Sequence, residues 1–174
     1  MSSSTATPES PSHSQTCLGG KYLTFALGKE EYGLEILKVR EIIGWMEITS
    51  LPRTPSYVKG VVNLRGQVIV VIDLRSRFEM EDHARTDQSC IIVVEIQQNT
   101  RKLSTGIIVD RVSEVVEIAA EKVEEPPTFG SAVATDFILG MAKLGDSVKI
   151  LLDIDRVLGS DIVLAAAAAN NSTN

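Results

Sequence analysis

The stretch Tyr57–Phe78, YVKGVVNLRGQVIVVIDLRSRF, returns 80 residues later as Phe137–Leu158, FILGMAKLGDSVKILLDIDRVL, and the two align without a gap. Tyr57 meets Phe137, Gly60 meets Gly140, Leu64 meets Leu144, Val68 meets Val148 and Asp73 meets Asp153. Apolar residues face apolar residues at Val70/Ile150, Val71/Leu151, Ile72/Leu152 and Leu74/Ile154. A repeat of this kind is one supersecondary unit used twice. Each copy reads as a glycine-containing strand, a tight turn and a β-branched strand that exits on Asp, which is a β-hairpin.

The repeat extends upstream. Gly33, Val39 and Glu41 reappear as Gly106, Val112 and Glu114 at a spacing of 73. The spacing therefore grows by seven residues in the second copy, and the small-residue stretch Thr128–Thr135 is where they belong. Each unit reads as strand, strand, loop, hairpin, and the two are expected side by side. A unit of about 55 residues buries too little apolar surface to stand alone, so the pair should share a core. About five short strands per unit suggest two small barrels, because closing a sheet removes its aggregation-prone edges. The groove between the barrels is the natural place for a partner.

Taken in order, Lys21–Leu27 alternates as a strand, Gly28–Glu31 turns, and Tyr32–Leu34 completes a hairpin. Leu37–Ile43 fits one helical turn feeding a strand, with Val39, Ile42 and Ile43 on one apolar side. Trp45–Ile48 continues extended, and Pro52 and Pro55 break the chain. Met80–Ser89 is a polar connector, and Cys90–Ile96 is a strand buried on both faces. Leu103–Asp110 pairs back, and Val112–Ile118 copies the first unit. Asp155 is expected to cap a short helix through Leu158, and Asp161–Ala169 favours a last helix.

The chemistry of catalysis is missing. His13 and His83 are the only histidines and neither neighbours a nucleophile. No phosphate-cradling glycine motif is present, and Cys17 and Cys90 have no metal-ligand spacing, so both read as reduced thiols and no cofactor or metal is expected. Net charge −6 and 5% aromatic content argue against a nucleic-acid partner. No signal peptide and no long apolar run is seen, so a cytoplasmic protein without direct membrane insertion is expected. Asp73 and Asp153 resemble a carboxylate pair, but an Asp at a strand exit usually satisfies amides of the next turn. Glu41 and Glu114 fit a similar bracing role.

The copies differ at one informative place. Arg65-Gly66 becomes Gly145-Asp146, and Asn63 becomes Lys143. A purely structural turn has little reason to carry Asn-Leu-Arg-Gly once, and the planar fork of Arg65 suits carboxylate or carbonyl recognition.

Together, EEYGLEILKVREII, LPRTPSYVKGVVNLRGQVIVVIDLRSRF, STGIIVDRVSEVV and FILGMAKLGDSVKILLDI resemble the CheW family of chemotaxis coupling proteins, from Lys21 to about Leu158. The resemblance implies a mainly β fold of two five-stranded SH3-like β-barrels related by the internal repeat, with short helices. It implies a domain of two intertwined barrels at 17–164, while composition makes 1–16 a disordered tail and 165–174 a frayed end, neither with a family signal. It implies an adaptor and not an enzyme, joining chemoreceptor cytoplasmic tips to the regulatory domain of the histidine kinase CheA, and recruited to membrane-associated arrays. A homologous adaptor in another chemosensory-type pathway, such as pilus motility, is the alternative. On the family's motifs, receptor contact falls to Val39, Glu41, Ile42, Lys59, Gly60, Asn63, Arg65 and Gly66, with Gly60 equally readable as a bulge glycine because Gly140 matches it. Kinase-contact residues are not assigned.

Overall fold

The computed structural model describes residues 19–81, 84–98, 101–125 and 137–159. The tail at 1–16, the insertion at 128–135, the helix expected at 161–169 and the end at 165–174 lie outside these, as do Cys17, His13 and His83. Eleven strands are described. They are β1 (Gly20–Leu27), β2 (Glu30–Glu35), β3 (Val39–Gly44), β4 (Val58–Leu64), β5 (Gln67–Asp73), β6 (Cys90–Gln98), β7 (Arg101–Val109), β8 (Arg111–Ile118), β9 (Val123–Glu124), β10 (Ile138–Leu144) and β11 (Ser147–Leu152). A 3-10 turn, Ile36–Lys38, feeds β3 as expected, and a second, Ala120–Lys122, precedes β9. Short helices α1 (Leu74–Arg77) and α2 (154–159) follow the two hairpins.

Two sheets result, ordered β8-β1-β2-β11-β10-β9 and β3-β6-β7-β5-β4. Each closes on itself, because the chain leaving one edge strand crosses to the opposite edge. After β8 it pairs as β9 with β10, and after β3 Thr49 bridges Val61 of β4. The sequence copies do not sit side by side. Hairpin β1–β2 of the first copy joins β8–β11 of the second, while β6–β7 of the second joins β3–β5 of the first. The exchange is made by two equivalent parallel pairs, Leu151 opposite Gly33 and Val71 opposite Gly106.

Burial follows from this arrangement. Tyr22, Ile118, Ala142 and Leu151 fill one barrel. Val62, Ile69, Val71, Ile91 and Val93 fill the other. The largest cluster lies between them, where Leu23, Phe25, Leu34, Val58, Ile72, Ile92, Ile107, Leu152 and Val157 are buried together. Strand alternation sends Val71 and Leu151 into the barrels and Ile72 and Leu152 between them. Arg77 sits beside this shared core. Its guanidinium is 4.8 Å from the ring centres of both Tyr57 and Phe137, which are repeat equivalents, and it donates to the Val157 carbonyl at 2.7 Å.

Local features repeat with the sequence. Both hairpins carry a register shift at the matched glycine, between Val58 and Gly60 and between Ile138 and Gly140. A Cβ on Gly60 would lie 2.0 Å from the Thr49 carbonyl oxygen, and one on Gly140 2.6 Å from Val123, so both are bulge glycines. Asp73 accepts from the Arg75 amide at 3.0 Å and begins α1. Asp153 accepts from the Arg156 amide at 3.4 Å and begins α2. Asp155, the expected cap, instead lies within α2 and pairs with Lys38 at 2.9 Å, because the strand exit two residues earlier already supplies the capping carboxylate.

Three substitutions test these readings. Gly60→Ala forces a backbone collision at a positive φ of 143° and should cost roughly 2–4 kcal/mol. Gly66→Ala, with open space around it, should cost only about 1–2 kcal/mol. Urea unfolding that ranks the two the other way would reject the bulge argument. Thr105 is fully buried and its hydroxyl has no partner among the described residues. Thr105→Val should therefore raise stability by about 1 kcal/mol in the same assay, and a loss would mean that the hydroxyl is satisfied.

Candidate functional site

Strand β3 begins with a bulge. Val39 is opposite Val94, but Glu41 is already opposite Val93, so Arg40 is the extra residue. Val39 and Ile42, opposite Val94 and Ile92, therefore face the inter-barrel side. Glu41 and Ile43, opposite Val93 and Ile91, face the barrel interior, and Ile43 packs there with Met46 and Ile48. Ile42 and Ile43 do not share a face, because consecutive strand residues point to opposite sides. Val39 is half-buried against the shared core, whereas Ile42 is 45% exposed.

The β4–β5 turn places Arg65 and Gly66 at φ +54° and +86°, the signs of a type I′ hairpin turn. The Asn63 side-chain oxygen accepts from the Gly66 amide at 2.9 Å. In the second copy Gly145 has φ +62°, while Asp146 is not in the left-handed region. A left-handed conformation costs a residue with a Cβ about 1–2 kcal/mol. The second copy avoids that cost with glycine; the first retains arginine. The Arg65 guanidinium pairs with Glu41, tying the hairpin tip to the edge strand across a barrel end lined by Leu64, Ile69 and Val93. Arg40 beside it reaches Glu95 and Ser104, each at 3.4 Å.

Lys59 lies four residues up β4 from Asn63, roughly 13 Å away by strand rise. It approaches Asp73 at 3.9 Å and shares a pocket with Trp45 and Arg85, whose guanidinium lies 4.5 Å from the indole ring centre. The eight residues expected on sequence grounds therefore do not form one cluster. Glu41, Asn63, Arg65 and Gly66 gather at one end of the seam between β3 and β4. Lys59 and Gly60 lie toward the other, with Val39 and Ile42 on the inter-barrel side of β3.

Some surface residues went unnoticed in the sequence. Leu37, in the turn before β3, is 92% exposed, and Val115 on β8 is 50% exposed. Val115 is the repeat equivalent of Ile42, so the 73-residue spacing could have found it; nothing in the local pattern marks Leu37 as outward. Glu114 does not repeat Glu41's role. It is exposed, and its backbone amide and carbonyl bond the Thr24 hydroxyl at 3.2 and 2.8 Å. At the corresponding end of the other barrel, Glu31 meets Lys149 and Arg111. The Lys149 hydrogen bond holds the Glu31 carboxyl below its ordinary range. Burial raises the Cys90 thiol above its ordinary range and favours its protonated form, partly offset by a hydrogen bond from the Val112 backbone. Among the described residues no cluster of three or more His, Cys, Asp or Glu is placed to hold a metal, and no helix is long and apolar enough to cross a membrane.

Residues 21–161 match the CheW-like domain family. The chain belongs to that family. The Chemotaxis protein CheW of Klebsiella aerogenes is 39% identical over 144 residues, covering 83% of this chain and 84% of the relative. Protein FrzA of Myxococcus xanthus is 30% identical over 140 residues, covering 79% and 84%. The crystal structure of the scaffolding protein TtCheW from Thermoanaerobacter tengcongensis superposes with a TM-score of 0.73 at 35% identity, covering 83% of this chain and 96% of that one. The two closed sheets are thus the two SH3-like barrels of the CheW fold, and the protein is a non-enzymatic chemotaxis scaffold.

The strain argument at Arg65 is testable by itself. Arg65→Gly relieves about 1–2 kcal/mol of left-handed backbone and removes an exposed ion pair worth about 0–1 kcal/mol. The urea midpoint should hold or rise. A drop equivalent to more than about 1 kcal/mol would show that the pair with Glu41 holds the fold together.

Proposed function

We propose that this protein holds chemoreceptor cytoplasmic tips and the regulatory domain of CheA in one geometry, so that receptor state controls kinase autophosphorylation. The observation that carries this reading is the one-sidedness of the repeat. The first copy keeps a strained, two-thirds-exposed Arg65 where the second keeps glycine, beside an edge strand that leaves Ile42 open to solvent and a preceding turn that does the same for Leu37. Strain retained at one of two equivalent positions is a mark of function.

The receptor surface is the β3–β4 seam. Ile42 and the partly exposed Val39 offer apolar contact to a helix, the helix-in-groove mode. Arg65, Lys59 and Glu41 give orientation and on-rate more than affinity. Asn63, Gly60 and Gly66 shape the hairpin that presents them. The kinase binds elsewhere, so that both partners are held at once and modest pairwise affinities combine through effective concentration. Signal passes only if the contacts differ between kinase-on and kinase-off states. The protein works in the cytoplasm and reaches the membrane through the receptors.

The test is CheA autophosphorylation with receptor-containing membranes, with and without this protein. Addition should activate the kinase, and attractant should then suppress it. Arg65→Ala and Val39→Asp should weaken receptor binding about tenfold or more while kinase binding and the circular dichroism spectrum hold. Equal loss of both interactions would reject separate surfaces. A folded protein that binds no kinase would reject the coupling role. The likeness to FrzA supports a second reading, the same adaptor role in another chemosensory-type pathway, which the neighbouring genes would distinguish.

A further inference from the structure

An apolar pocket of about 320 Å³ opens beside α1, between that helix and the β10–β11 hairpin. Tyr32, Phe78, Phe137, Ile138, Ile150 and Leu152 line it, and Tyr32, Phe78 and Phe137 form a run of ring contacts at 5.9 Å. The repeat shows that this opening is not a requirement of the fold. Phe78, Ile138 and Ile150 are only partly buried, whereas their equivalents Leu158, Val58 and Val70 are 0%, 6% and 0% exposed. One half of the molecule fills the position and the other leaves it open.

The rim carries a second departure. Glu79 ends α1 with φ +59°, and its repeat equivalent Gly159 ends α2 with φ +69°. At the helix end, where a left-handed residue is normally glycine, the first copy holds a carboxylate at a backbone cost of about 1–2 kcal/mol. The Glu79 carboxylate is exposed and makes no hydrogen bond or ion pair among the described residues. Arg77, the other charge on the pocket, is already engaged by two rings and the Val157 carbonyl. The pocket therefore presents an apolar cavity with one available negative charge.

We propose that this pocket is a docking site for a protein segment that carries an apolar side chain next to a lysine or arginine. It shares no residue with the β3–β4 seam, so the proposal stands or falls independently of the receptor reading. Charge selects the occupant. The chain's own Asp161-Ile162-Val163-Leu164 would bring a carboxylate toward Glu79, whereas a cation beside the anchor completes an ion pair at the rim of an apolar cavity.

The experiment uses the full-length, isotope-labelled protein and two acetylated, amidated peptides, Lys-Leu-Leu-Lys-Lys-Leu-Leu-Lys and the same sequence with Glu for Lys. In backbone amide spectra the lysine peptide should shift Ile138, Ile150 and Leu152, and bind about tenfold more tightly than the glutamate peptide. Glu79→Lys, an exposed substitution, should reverse that order. Shifts confined to other surfaces, or a preference that Glu79→Lys leaves unchanged, would overturn the proposal. So would pocket amides that move on dilution of the protein alone, which assigns the pocket to a second copy, or on Leu164→Asp without peptide, which assigns it to the chain's own end.

Discussion

The structure depends on the exchange of hairpins between the two copies of the repeat. Parallel pairing of β5 with β7 and of β2 with β11 means that neither barrel is complete without strands from both copies. The largest buried cluster lies where the barrels meet, while each barrel interior is small. Burying a large aliphatic side chain contributes about 1.5–3 kcal/mol, so most of the apolar driving force belongs to the interface and not to either barrel. Arg77 marks the same relationship in polar form. It lies between Tyr57 and Phe137, which are equivalents, and bonds the carbonyl of its own equivalent, Val157. A residue in that position can be served by both halves at once, and only one arginine fits there.

Against this near-symmetry, departures between the copies are informative. Where the copies agree, a shared structural task explains the agreement, as with the bulge glycines and the helix-capping aspartates. Where they disagree at the same backbone conformation, the fold does not explain the costlier choice. Arg65 against Gly145 and Glu79 against Gly159 are two such pairs, all four residues lying between φ +54° and +69°. In both it is the first copy that places a charge in left-handed backbone. One pair lies at the β3–β4 seam and the other at the rim of the pocket beside α1.

The gapless repeat made the strands, the hairpins and the bulge legible in the sequence, because each is encoded within a few residues. The exchange was not legible. A strand that pairs with its own copy and one that pairs with the other show the same period of two, so the alternation of Val70, Val71 and Ile72 is silent about which neighbour they meet. The bulge at Arg40 was hidden for a related reason, since Val39, Ile42 and Ile43 fit a helical spacing as readily as a bulged strand. The site was half legible. A turn that carries arginine in one copy only pointed to Arg65, but its pairing with Glu41 is a contact across the closed barrel, and Glu114, with glycine opposite, has no such partner to brace. Leu37 and the pocket beside α1 depend on what the fold leaves uncovered, which no local pattern records.

The exchange also bears on how an adaptor can pass a signal. Each copy crosses between barrels once, after β2 through Ile36–Lys38 and after β7 at Asp110. The second crossing is clamped. Asp110 accepts from the Gly28 amide at 2.7 Å and takes two bonds from Arg75 at 2.9 and 2.6 Å, while its own amide donates to Ala26. The first is held at Lys38 by Asp155 and leaves Leu37 in solvent. The crossing at Ile36–Lys38 is thus the less constrained of the two, and β2 on its far side is already a strand of the other barrel. Close-packed interiors transmit strain and do not absorb it. A displacement of β3 against its own barrel therefore has two ways into the other barrel, along the three residues of turn and through Val39, which packs on the shared core.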